Sequence, residues 1–214
     1  MYNLQKNNYH QKPKNSIIYT PPAVSQFIFE LLKDKIVQPT GAVSPAILDP
    51  CCGQGSLLEP WKKTNRYRTF GNDIDPNCLP GQISRIDFLQ MKTSRGLEIT
   101  RPQLILCHPP FNGYKGKAAA EVWLDKIIEL FGKDIPIVLF APYNFRLPWK
   151  TDSKRLSKFL SGEYPPIASI ISLPTKGLWE GVIFHSEILI FNIKGLKPHY
   201  FFNPTNQIEQ RTPI

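Results

Sequence analysis

Short apolar runs, each followed by a polar loop, dominate the chain from about residue 45 onward. AILD (46–49), RTFGND (68–73), QLILC (103–107), IPIVLFA (135–141), IASIISL (167–173) and EILIFNI (187–193) read as strands. Two segments have the longer helical period. Val24, Phe27, Ile28, Leu31 and Leu32 form one apolar stripe, with Thr20 before Pro21 and Pro22 as a suitable N-cap and proline-bearing first turn. Ala120, Trp123, Leu124, Ile127, Ile128 and Phe131 form another within the run from Ala118 to Phe131. Strands that alternate with helices predict an α/β fold, a mostly parallel sheet covered on both faces. The short, turn-rich PTKGLWEGVIFHS between the last two strands better suits an antiparallel pair.

The ends read differently. Residues 1–16 carry Lys6, Lys12 and Lys14 among Asn and Gln and predict a loose basic arm. Residues 17–195 are expected to form one domain, and the proline-spaced tail 196–214 to be irregular. No apolar stretch approaches the roughly 18 residues that cross a bilayer, and the polar N-terminus lacks a secretory pattern. The expectation is a cytoplasmic protein without a membrane partner. Cys51, Cys52, Cys78 and Cys107 form no C-x-x-C pair, so reduced thiols lining a core or loop are expected, with no metal site. The formal net charge of +9 favours a polyanionic partner such as nucleic acid and names no reaction.

Four loops carry candidate chemistry. In ILDPCCGQGSLL (47–58) a buried strand ends at Asp49-Pro50, and Gly53 and Gly55 make a tight loop before a helix expected near Ser56. Such a first turn lets an adenosyl cofactor approach the backbone closely; the G-K-[ST] of a phosphate loop is missing. In FGNDIDP (70–76) Asp73 ends the second strand about 20 residues after the glycine loop, where a carboxylate accepts ribose hydroxyls; Asp75 reads as a turn residue. In RIDFLQ (85–90) Asp87 and Phe88 suit an adenine amine and an apolar ring cover. In LILCHPPFNGY (104–114) a buried strand runs into His108-Pro109-Pro110-Phe111, a rigid turn with free carbonyls and an aromatic platform.

Taken together, these segments resemble the adenine-specific amino-methyltransferases that act on DNA, similar to the modification subunits of restriction-modification systems. YTPP (19–22) looks like the motif upstream of the glycine loop, DPCCGQG (49–55) like D-P-x-x-G-x-G, GNDIDP (71–76) like G-x-E-I-D-P, and HPPF (108–111) occupies the N-P-P-F slot. LPTKGLWEGVIFHSEILIFN (173–192) is similar to their final paired strands. The resemblance covers residues 17–193 and implies a Rossmann-like methyltransferase fold, a seven-stranded sheet with an antiparallel edge hairpin. It implies S-adenosyl-L-methionine as cofactor, held by Tyr19, Thr20, Pro21, Asp49, Pro50, Gly53, Gly55, Asp73, Asp87 and Phe88. It implies His108, Pro109, Pro110 and Phe111 as the catalytic turn, acting on an adenine flipped out of duplex DNA.

Two departures bear on this. His108 stands where the family has Asn, Asp or Ser, so it must be neutral to accept a hydrogen bond from the target amine. Residues 194–214 hold no room for a target-recognition domain, so specificity is expected from a separate subunit, from loops of this domain, or not at all. The alternatives are methylation of RNA or of a protein glutamine, or a non-catalytic cofactor-binding partner subunit.

Overall fold

The computed structural model describes residues 18–39, 43–75, 78, 83–97, 99, 101–110, 118–147, 151–179 and 185–204. Its centre is one sheet of eight strands: β1 (Ala46–Asp49), β2 (Arg68–Asn72), β3 (Ile83–Ser84), β4 (Leu104–Cys107), β5 (Ile137–Pro142), β6 (Ile167–Ser172), β7 (Ser186–Phe191) and β8 (His199–Phe201). They lie in the order β3-β2-β1-β4-β5-β7-β6-β8. The chain therefore builds outward from β1 in one direction, then returns to place β4 on its other side. Pairing is parallel from β3 to β5, with Leu48 opposite Ile105 and Cys107 opposite Leu139. β7 runs antiparallel between β5 and β6, the pair anticipated from the short connection.

The sheet goes beyond the seven expected strands at β8, which pairs parallel with β6 inside the tail read as irregular. Three residues among prolines carry no periodic signal; their place comes from β6 pairing and from Ser169 Oγ donating to the Lys197 carbonyl at 2.7 Å. β3, two residues long, was equally invisible to periodicity.

Helices α1 (Pro22–Leu32), α2 (Glu59–Lys63), α3 (Ala119–Phe131) and α4 (Lys154–Leu160), with short 3-10 turns at Phe88–Gln90 and Ser94–Leu97, complete the described elements. Because successive side chains of a strand face opposite ways, the fully buried strands feed two cores. Ile47, Leu104, Leu106, Val138 and Phe140 meet Val24, Ile28 and Leu32 of α1 and Trp61 of α2 on one face. Leu48, Ile105, Cys107, Ile137 and Leu139 meet Ala120, Leu124 and Ile127 of α3 on the other. Two local expectations change. The glycine loop continues through turns to Leu58, so α2 begins at Glu59 rather than near Ser56. Pro21, not Thr20, occupies the N-cap of α1, and no side chain caps that helix.

Candidate functional site

β1 and β4 are neighbours although the chain passes through β2 and β3 between them, and such a reversal leaves a crevice at the carboxyl ends of the strands. A cavity of about 320 Å³ occupies it. Its walls include Tyr19, Thr20, Asp49, Pro50, Gly53, Asp73, Asp87, Phe88, His108 and Pro110, which were separated by up to 91 positions in the sequence.

The glycine loop is shaped by its neighbours. Gly53 and Gly55 have φ of +49° and +78°, backbone that favours glycine. A Cβ on Gly53 would also fall 2.9 Å from Cε1 of the Tyr19 ring, so the tyrosine packs directly on the loop. Asp49 is buried and accepts the Cys51 N–H at 3.1 Å. Burial raises its carboxyl to about 8, the Cys51 N–H opposing and the Asp73 carboxylate adding to the rise.

Asp73 accepts the Gly53 N–H through Oδ2 at 2.7 Å and the Asp75 N–H through Oδ1 at 3.0 Å. The carboxylate thus ties β2 to the glycine loop and keeps further lone pairs for a ligand. Its neighbour Asn72 does comparable work below the surface, donating to the Pro50 and Ile86 carbonyls and accepting the Ile86 N–H. Asp87 starts a 3-10 turn by accepting the Leu89 N–H at 3.1 Å. Phe88 stacks on Trp123 of α3, centroids 5.2 Å apart and planes 7° apart, and both rings line the cavity.

At the end of β4, His108 is 9% exposed and Pro109 is buried, while Pro110 is exposed. The imidazole stacks on Phe140 of β5, 4.1 Å between centroids, with Trp179 at 6.1 Å. Its Nδ1 lies 2.8 Å from Thr20 Oγ1. Burial pushes its pKa down to about 3, well below the ordinary histidine value near 6.5. The ring is therefore neutral throughout the physiological range. Trp179 donates its indole N–H to the Tyr19 carbonyl at 3.0 Å, so the segment after β6 holds the segment before α1 beside His108. Phe111, the fourth residue of the expected catalytic turn, lies outside the described residues.

Sequence reading missed Trp123, Trp179, Asn72 and Ser56. Trp123 had been assigned to the apolar face of α3, which it occupies, but its ring also reaches the cavity. The cysteines lie in the core and the loop as expected, with Cys51 Sγ 3.8 Å from Cys107 Sγ and both thiols raised chiefly by burial. Arg155 and Lys158 pair with Glu121 at 3.2 Å and Asp125 at 2.6 Å on α3.

The cleft offers a protonated carboxyl at the β1 end, a carboxylate at the β2 end, a flat aromatic wall, a glycine loop packed against Tyr19, and a neutral imidazole beside two prolines. These residues fit an adenosyl cofactor: Asp73 presents a carboxylate at the β2 end, and Phe88 and Trp123 present a flat aromatic wall. Among the described residues no group of three or more His, Cys, Asp or Glu could hold a metal ion, and no helix is long and apolar enough to cross a membrane.

No family model and no curated protein matches the sequence. Solved structures do match. A Listeria monocytogenes protein described as a class I S-adenosylmethionine-dependent methyltransferase superposes with a TM-score of 0.64 at 15% identity, over 92% of this chain and 69% of that one. The methyltransferase subunit of a type I restriction-modification system from Streptococcus thermophilus gives 0.61 at 15% identity, over 86% and 46%. A modification subunit of a type I restriction enzyme from Vibrio vulnificus gives 0.58 at 18%, over 87% and 46%. The chain thus spans about half the length of those two subunits. By its strand order, its mixed pairing and these superpositions, the chain has the Rossmann-like methyltransferase fold.

Proposed function

We propose that this chain is an S-adenosyl-L-methionine-dependent methyltransferase acting on the exocyclic amine of adenine in DNA. The observation that carries the reading is one cavity shared by the glycine loop, Asp73, His108 and Pro110, on a methyltransferase fold. Asp73 would hold the ribose hydroxyls, Asp87, Phe88 and Trp123 the adenine end, and Tyr19, Thr20, Pro21, Asp49, Pro50, Gly53 and Gly55 the methionine end. When bound, the cofactor supplies an electrophilic methyl group on a sulfonium.

The protein's part is to hold the amine. An amine conjugated with its ring is a poor nucleophile, and acceptors for its two N–H groups orient the lone pair and offset the developing positive charge. By the resemblance, neutral His108 and the Pro109 carbonyl would be those acceptors, with Phe111 stacking on the flipped base. The depressed pKa of His108 supports this role, since a protonated ring would only donate and would repel the forming ammonium. The modification-subunit likeness supports a separate polypeptide that chooses the target sequence.

The test offers radiolabelled cofactor with DNA, RNA and protein in parallel. Label in DNA adenine is the expected result; label in RNA or protein alone moves the substrate class, and no label in any rejects the enzyme. Calorimetry with S-adenosylhomocysteine tests the cleft itself. Asp73→Asn, which keeps the side-chain shape, should lose about 2–4 kcal/mol of binding through two charge-assisted hydrogen bonds. Unchanged affinity would remove Asp73 from the cofactor site.

A further inference from the structure

At the opposite end of the sheet from the cleft, exposed cations gather without carboxylates. α1 leads there from Thr20 in the cleft, its 11 residues spanning about 16 Å at 1.5 Å each. At its foot the Tyr67 hydroxyl donates to the Lys33 carbonyl at 2.6 Å. The rings of Phe29, Trp61 and Tyr67 stand edge to face beside it, 5.0 and 4.9 Å between successive centroids. These contacts bring the ends of α1 and α2 and the start of β2 to one place. Four residues join α2 to β2, and Asn65 among them has φ of +53°, so Lys62, Arg66 and Arg68 flank one tight turn. Lys35 reaches across to the chain after β7, its Nζ 3.2 Å from where a Cβ on Gly195 would stand, and so lies beside Lys194.

All five cations are exposed, and among the described residues none has a carboxylate at ion-pair distance. Cations elsewhere are committed, Arg146 to Glu187, Arg155 to Glu121 and Lys158 to Asp125. Lys62 also suits the carboxyl end of α2, but Arg66, Arg68 and Lys194 belong to no helix, so helix dipoles do not account for the group. Both guanidiniums lie over rings, Arg66 on Tyr67 at 5.8 Å and Arg68 on Phe70 at 5.6 Å from the centroid. An arginine laid on an aromatic face gives up less freedom when its N–H fork meets a phosphate. We propose that the ridge of Lys35, Lys62, Arg66, Arg68 and Lys194 is a second nucleic-acid contact, which holds a stretch of phosphate backbone away from the cleft. A duplex carries one charge per about 1.7 Å of axis, dense enough to face all five cations at once. The contact goes beyond the methyltransferase reading, since it needs neither the cofactor nor the reacting base.

Binding of labelled duplex DNA by the full chain, read by anisotropy across salt, tests the ridge. Lys62→Gln/Arg66→Gln/Arg68→Gln should weaken binding at least tenfold at roughly 100 mM salt and lower the slope of log affinity against log salt by about 2–3. Lys92→Gln/Lys133→Gln/Lys154→Gln removes the same charge from exposed positions elsewhere and should change both far less. Calorimetry with S-adenosylhomocysteine should be unchanged in either variant, because the cleft lies at the other end of the sheet. Equal losses in the two triples would show attraction by the whole charge and overturn the ridge, as would unchanged binding in the first. Displacement of the duplex by polyglutamate as readily as by unlabelled duplex of equal charge would overturn the choice of phosphate backbone. Arg68 Nε also donates to the Ser44 carbonyl at 3.3 Å. If the first triple does not fold for that reason, Lys35→Gln/Arg66→Gln/Lys194→Gln decides in the same way. Binding that depends on the ridge, together with no methyl transfer to any substrate, would reject the methyltransferase reading and leave the ridge standing.

Discussion

His108 and Asp49 are both buried at strand ends under the cleft, and burial moves their protonation in opposite chemical senses. His108 has a folded pKa of about 3, below its unfolded value near 6.5. The unfolded chain then binds a proton that the folded chain refuses, so stability from this group is full above pH 6.5 and falls as pH drops toward 3. Asp49, at about 8, lies above its unfolded value near 4. The folded chain keeps a proton that the unfolded chain releases, so stability is full below pH 4 and falls as pH rises toward 8. Between about pH 4 and 6.5 the two contributions cancel. Urea unfolding should separate them. His108→Asn should gain stability as pH is lowered from 8 to 4, with a slope approaching about 1.4 kcal/mol per pH unit, and Asp49→Asn should lose it below pH 6.5. Parallel profiles for wild type and both variants would show that neither group is held as described. Because of the same burial, transfer should stay level from about pH 7 to 5.5, where an unperturbed histidine near 6.5 would make it decline.

Among the helices, α4 has no fully buried side chain, and its apolar contact is Phe159, edge-on to Phe145 and Tyr164. It is held on α3 by Arg155 to Glu121 and by Lys158 and the Tyr164 hydroxyl to Asp125, each of the latter two at 2.6 Å. The Arg155 guanidinium also lies over the Phe145 ring, 5.1 Å from its centroid. A helix docked in part through such half-exposed ion pairs should loosen with salt more than one docked by an apolar stripe alone. Arg155→Gln and Lys158→Gln should each cost up to about 1 kcal/mol of stability and speed amide exchange across α4. Their affinity for a DNA duplex should not change, because both cations already face carboxylates. A sharp loss of DNA affinity at unchanged stability would instead put this face against the polyanion. Arg146 makes a similar link, bonding both oxygens of buried Glu187 at 3.0 and 3.1 Å and fastening the loop after β5 to β7.

At the scale of the whole molecule, 26 Lys and Arg against 17 Asp and Glu leave a formal charge of +9. If several of those cations neutralise phosphates, duplex affinity should fall on the order of tenfold or more between roughly 50 and 200 mM salt. Fluorescence anisotropy with unrelated sequences of equal length measures both the slope and the discrimination, which should be small for this chain alone. Tight binding that ignores ionic strength would argue against a phosphate-tracking surface.

What the sequence determined was whatever depends on neighbours along the chain. The buried strands, the helical stripes of α1 and α3 and the glycine loop of β1 repeat or punctuate at short range, and their order implied the parallel sheet. Asp73 and the HPPF turn were legible for the same reason, each standing where a strand stops. Tertiary structure decided what depends on residues brought together from far apart. Whether Thr20 caps a helix or holds an imidazole turns on where β4 ends, 88 positions later. Whether Trp123 is core or cavity wall turns on the place of Phe88, and whether Arg155 meets a phosphate or Glu121 turns on how α4 lies against α3. The protonation of Asp49 and His108 belongs to the same group, because desolvation is set by everything packed around a side chain and leaves no mark on the letters beside it.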